Sequence, residues 1–154
     1  MIRPLALISL LGTLNLMAVQ PPTDAKILTA IGLVETGMKR TARGDAGHSF
    51  GAYQMSQDSW ATGNRRLSAE GLPTYPFRQW RSEIAQDAVA MGLILAIRDR
   101  LKTEGVVTPT PEQIALVWNM GWSGAKRVGF RVDAAPPVRA DYANRVGNLV
   151  RDAK

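Results

Sequence analysis

Two carboxylates, Glu35 and Asp45, stand ten residues apart on either side of a glycine-rich turn. Ile27 to Thr36 reads as a helix, and its periodicity puts Leu28, Ile31 and Glu35 on one face. The apolar members of that face should meet the core, which leaves Glu35 where the apolar row ends. Partial burial there disfavours the ionised form and raises the carboxyl pKa. A carboxyl that keeps its proton near neutral pH can act as a general acid. The plain alternative is a surface glutamate in a helix's last turn. Asp45, in Gly44-Asp45-Ala46-Gly47, is either a second carboxylate that holds a water across a cleft or the first residue of an Asx-turn.

A third candidate is excluded on chemical grounds. Gly47-His48-Ser49-Phe50-Gly51 matches the G-x-S-x-G nucleophile elbow. That device needs a strand before it and a later histidine as base. His48, the chain's single histidine, is the serine's own neighbour and cannot supply the base geometry. A serine hydrolase is therefore not expected. With no cysteine and one histidine, a thiolate or multi-histidine metal site is excluded too, and no metal or cofactor is expected.

The elements that must position these groups are mainly helical. Thr23 or Asp24 can cap the first helix, and Gly37 can stop it. Residues 41–55 suggest a loop or small hairpin. Ser56 to Ser59 starts a short helix with Trp60 inward, and Gly71 to Phe77 must be irregular. A long helix is expected from about Trp80 to Thr103, its apolar side formed by Ile84, Ala88, Met91, Leu95 and Ile97. Thr110-Pro111-Glu112-Gln113 is a capping-box start for a helix that should end by Gly121. Trp122 to Val132 is expected as a loop, and Pro136-Pro137 opens a last helix with Tyr142, Val146, Leu149 and Val150 as its stripe.

The chain's 154 residues fit one domain, here taken as residues 21–154, and 45% hydrophobic residues suffice for a core. Residues 1–20 read as an export signal, with Arg3 ahead of a mostly apolar Leu5–Met17 run. Left uncleaved, that run would be an N-terminal membrane-targeting segment. Either way the expected location is periplasmic or extracellular. A net charge of +6 suits a polyanionic partner such as nucleic acid, anionic lipid or an acidic envelope polymer. Scattered basic residues without a helix-turn-helix or RNA-binding signature argue against nucleic acid.

Glu35-Thr36-Gly37, followed by Gly44-Asp45-x-Gly47-x-x-Phe50-Gly51-x-x-Gln54-Met55, resembles the core of goose-type lysozymes and soluble lytic transglycosylases. Asn119-Met120-Gly121 is similar to their N-A-G motif, and Tyr142 to the tyrosine of their last helix. The blocks occur in the family's order over roughly residues 24–150. The resemblance implies an α+β, mainly α, lysozyme-like domain with a small β element after the catalytic helix. It implies that Glu35 protonates a glycosidic oxygen, with Asp45 as the candidate second carboxylate of a hydrolytic variant. Gln54, Tyr53, Gly51, Ser49, Asn119, Trp122 and Tyr142 become the expected substrate-binding residues: Gln54 and Tyr142 by hydrogen bonds to sugar or by helping set Glu35, Asn119 by touching substrate or bracing the cleft, Tyr53 and Trp122 by stacking, Gly51 by close backbone approach. Trp60, Trp80 and Trp118 are expected in the core.

Two departures bear on mechanism. Ala52-Tyr53 replaces the family's Leu-Met before the glutamine, and Ser56 stands where goose-type enzymes usually carry a further aspartate. The expectation is cleavage of the β-1,4 bond between N-acetylmuramic acid and N-acetylglucosamine by the transglycosylase route. The alternatives are a goose-type hydrolase or a non-catalytic wall-binding module. The expected partner is peptidoglycan glycan, within an envelope, virion or secretion complex.

Overall fold

The computed structural model describes residues 22–153. The expected export segment lies outside the described residues. The described residues are mainly α: five helices, three short 3-10 turns and one two-stranded hairpin. No helix among the described residues is long and apolar enough to cross a membrane.

Helix α1 (Pro22–Thr36) buries Ile27, Ala30 and Ile31, a spacing that puts one face against the core. Each isoleucine so buried contributes roughly 1.5–3 kcal/mol relative to exposure. That face fixes the rotation of the helix and hence the direction in which Glu35 leaves its last turn. Gly37 and Met38 then take left-handed backbone angles, and their amides donate to Leu33 and Gly32 carbonyls at 3.0 Å. The helix stops there because its last carbonyls are already satisfied.

The hairpin follows as β1 (Arg43–Gly44) and β2 (Ser49–Phe50), antiparallel, with Arg43 opposite Phe50 and Gly44 opposite Ser49. Phe50 anchors it, with its ring 5.1 Å from Phe77 and 5.2 Å from Trp80 between centroids. Helix α2 (Gln57–Ala69) starts at Ser56, whose hydroxyl accepts the Ser59 amide, and buries Trp60. It lies backbone to backbone on α3: a Cβ on Gly63 would strike the Val89 carbonyl, and one on Gly92 would come within 2.5 Å of the Gly63 carbonyl. Only glycine permits that approach.

Helix α3 (Glu83–Thr103) is the central element and packs against α1, α2 and α4. It begins later than the sequence suggests, because Phe77–Gln79 forms a 3-10 turn delivering Trp80 to the core and Ser82 caps the helix. Its buried face is Ala85, Val89, Leu93, Ile94, Ile97 and Leu101. The expected face therefore requires correction: Ile84 is 71% exposed, and Ala88, Met91 and Leu95 are only partly buried.

Helix α4 (Pro111–Arg127) carries the expected capping box of Thr110 and Gln113. At Gly121 the backbone turns to φ 70°, ψ 167°, a conformation essentially reserved for glycine, and the chain then resumes helical angles to Arg127. The predicted stop at Gly121 is thus a break, and Trp122 to Arg127 is helix where a loop was expected. Trp118 is partly buried against the core. Helix α5 (Pro137–Asp152) buries Tyr142, Ala143 and Val146, while Leu149, expected inward, sits exposed beside α1.

Candidate active site

Glu35 leaves the last turn of α1 half-buried, and the Tyr142 hydroxyl donates to its Oε1 at 2.7 Å. Burial is the dominant influence and pushes the Glu35 carboxyl above its ordinary 4.5. The Tyr142 hydrogen bond opposes that rise, the nearby Asp45 charge adds to it, and the Arg139 charge opposes it. Burial, then the Glu35 charge, drives the Tyr142 phenol far up, so it stays a donor. With Oε1 occupied as an acceptor, the acid proton belongs on Oε2.

The hairpin brings Asp45 into this neighbourhood. Asp45 and Ala46 both take left-handed angles at its tip, φ 48° and 53°. The Ser49 hydroxyl donates to Asp45 Oδ2. Ser49 is buried, so it braces that carboxylate and offers no free hydroxyl to a substrate. Its expected binding role is corrected accordingly.

The loop behind the hairpin is held by Gln86, a buried glutamine of α3. Its Oε1 accepts the Ala52 amide at 2.8 Å, and its Nε2 donates to the Arg40 and Trp80 carbonyls at 2.8 and 2.7 Å. The Thr36 hydroxyl donates to the Ala52 carbonyl at 2.9 Å, so the Glu35 turn and the loop share one anchor point. Gly51 explains itself here: at φ 75°, a Cβ would lie 2.5 Å from Gln86 Oε1. It is buried, and its need for glycine comes from Gln86 rather than from an approaching sugar chain.

Tyr53 is likewise corrected. It is 2% exposed, its ring fits against Gly32 of α1, and its hydroxyl donates to Asp87 at 2.6 Å. Asp87 also pairs with Arg40. No face of Tyr53 is open for stacking. Gln54, at φ 48°, donates through Nε2 to the Gly51 carbonyl at 2.9 Å and lays its Oε1 against Gly44. It closes the turn from inside and makes no hydrogen bond to Glu35.

Trp122 is already engaged within the fold. Its ring packs on Phe130 at 5.0 Å and under the Arg100 guanidinium at 3.9 Å. Arg100 covers one face of the Trp122 ring and Phe130 packs against it, which leaves the side chain only partly exposed. Asn119 meets the site through Arg139: its Oδ1 accepts Arg139 Nη1 at 2.7 Å.

The structure thus gathers Glu35, Asp45, Tyr142, Arg139 and Asn119, with Gln54 and Gly51 in the supporting wall. Sequence reasoning missed Arg40, Gln86, Asp87 and Arg139. Two carried a readable signal: Gln86 is a polar residue between apolar helix positions, and Arg139 sits three residues before Tyr142, hence on its face. Comparison with known protein families, curated proteins and solved structures finds no significant match.

Proposed function

We propose that this chain is a peptidoglycan lytic transglycosylase of lysozyme-like fold, exported to the cell envelope. The observation that carries the proposal is the half-buried Glu35 carboxyl, raised in pKa by burial and oriented by Tyr142, beside a short hairpin. Two features support it further: the four sequence blocks resemble the lysozyme-like families in order, and the chain's net +6 charge suits an acidic wall polymer.

In this reading Glu35 Oε2 gives its proton to the glycosidic oxygen as the bond to muramic acid C1 breaks. The C6 hydroxyl of the same sugar attacks C1 and returns its proton to the carboxylate. The product carries a 1,6-anhydro ring, no water is consumed, and Glu35 ends as it began. Tyr142 fixes which oxygen holds the proton.

A hydrolytic route is the second reading, favoured by one observation: Asp45 lies close enough to act on Glu35 by charge, and Ser49 steadies it. There Asp45 would activate a water on the far side of C1. Digestion of purified peptidoglycan followed by mass spectrometry separates the routes, with anhydro ends expected and reducing ends supporting hydrolysis. Glu35→Gln should lower cleavage about 10²- to 10⁴-fold with circular dichroism unchanged. Absence of any cleavage band in a cell-wall zymogram of the wild type would leave a wall-binding module instead.

A further inference from the structure

Among the described residues, Arg139 is the basic side chain whose charge bears on Glu35, and it is held rather than free. Its Nη1 donates to both oxygens of Asn119, the side-chain Oδ1 at 2.7 Å and the backbone carbonyl at 3.4 Å. An exposed arginine has roughly 2 kcal/mol of rotamer entropy to spend, and a two-point clamp removes much of that wandering. Arg139 also precedes Tyr142 by three residues, so both leave the same face of α5. One of the two is bonded to Glu35, and the other is held by Asn119 of α4.

We propose that Arg139 is a positioning residue of this site: clamped by Asn119, it supplies the cation that faces Glu35 once the acid has become a carboxylate. Asn119 then serves the acid through Arg139 instead of through a sugar contact. The chemical role rests on the transglycosylase reading above, where the carboxylate must persist until the C6 hydroxyl returns a proton. The groups facing Glu35 are few: Tyr142 and Arg139 from α5, and Asp45 from the hairpin. Tyr142 is neutral and Asp45 repels, so Arg139 alone offsets the new charge. The physical claim about Arg139 stands without any activity.

The test is a carboxyl-detected NMR titration of Glu35 in the full chain, for wild type, Arg139→Gln, Arg139→Lys and Asn119→Ala. Arg139→Gln should move the Glu35 midpoint upward, and Arg139→Lys should restore most of the wild-type value. Asn119→Ala should move it the same way by less, because the guanidinium is no longer held. An unmoved midpoint in folded Arg139→Gln overturns the proposal. A midpoint moved by Arg139→Gln but not by Asn119→Ala overturns the clamp. Where wild type cleaves peptidoglycan, kcat should fall about tenfold in Arg139→Gln with KM unchanged, less than the 10²–10³ of a directly bonded donor. If wild type cleaves nothing, the functional reading fails while the titration still decides the role of Arg139.

Discussion

The bond from Tyr142 to Glu35 connects two helices and one chemical state. The phenol favours the carboxylate, while burial and Asp45 favour the acid, and burial wins. Tyr142→Phe should therefore push the Glu35 midpoint higher still, cost about 1 kcal/mol in denaturant unfolding and, under the proposed transglycosylase reading, shift the basic limb of a pH–rate profile to higher pH. The raised pKa also has a stability sign. Between the ordinary value of 4.5 and the higher folded value, the native state holds more protons than the unfolded chain. Stability falls as pH rises through that window and levels off above it. Glu35→Gln removes this loss, so the variant should melt above wild type at neutral pH, the gap closing as pH drops below 4.5. A gap that stays constant with pH would contradict the assignment. The place of Glu35 at the end of an apolar row was legible in sequence, although that row alone left an ordinary surface glutamate open. The occupied states of Ser49, Gln54 and Asn119 were not, since each depends on a partner that only the folded chain identifies.

The starts of α2, α4 and α5 were readable, whereas Thr23 and Asp24, expected to cap α1, lie inside Pro22–Thr36. Ser56 and the Thr110–Gln113 box announce α2 and α4 by side chains that satisfy the first free amides. The start of α3 was misread because Trp80 is apolar, yet it reaches the core from a 3-10 turn. Ile84 was misread because apolar character alone does not choose between two adjacent faces. Gln86 stood out only as a polar residue between apolar positions; its role was not legible, because that role lies in three backbone groups from three separate stretches. Gln86→Leu should strand the Ala52 amide and the Arg40 and Trp80 carbonyls. At about 1–3 kcal/mol for each unsatisfied group, the loss in urea unfolding should reach about 3 kcal/mol. Amide exchange should quicken in the 40–52 loop before it does in α3. Gly51→Ala should act on the same joint, costing about 1–2 kcal/mol for the left-handed angle, with more added by collision with Gln86.

At the scale of the molecule, α3 ties the first helix to the rest of the helical core. Asp24, 0% exposed near the start of α1, pairs with Arg98 of α3, and neither Asp24 Oδ2 nor Arg98 Nε has a partner among the described residues. A buried pair this poorly satisfied contributes little net stability, but breaking it leaves one charge buried and alone. Arg98→Ala should cost about 3–5 kcal/mol in chemical denaturation, whereas replacing both partners together by apolar residues should cost far less. Near-equal losses in the single and double variants would refute that account. The pairing of first and last helices has a different consequence. Lys26 donates to the carbonyl of Ala153, so the start of α1 and the end of α5 are neighbours, while the Gly71–Thr74 turn between α2 and α3 is largely exposed. A short glycine-serine bridge across the first pair, with new ends opened at that turn, would give a circular permutant. It keeps Glu35, Asp45 and Tyr142 on their original elements, and the order of the chain would change without moving those three side chains apart.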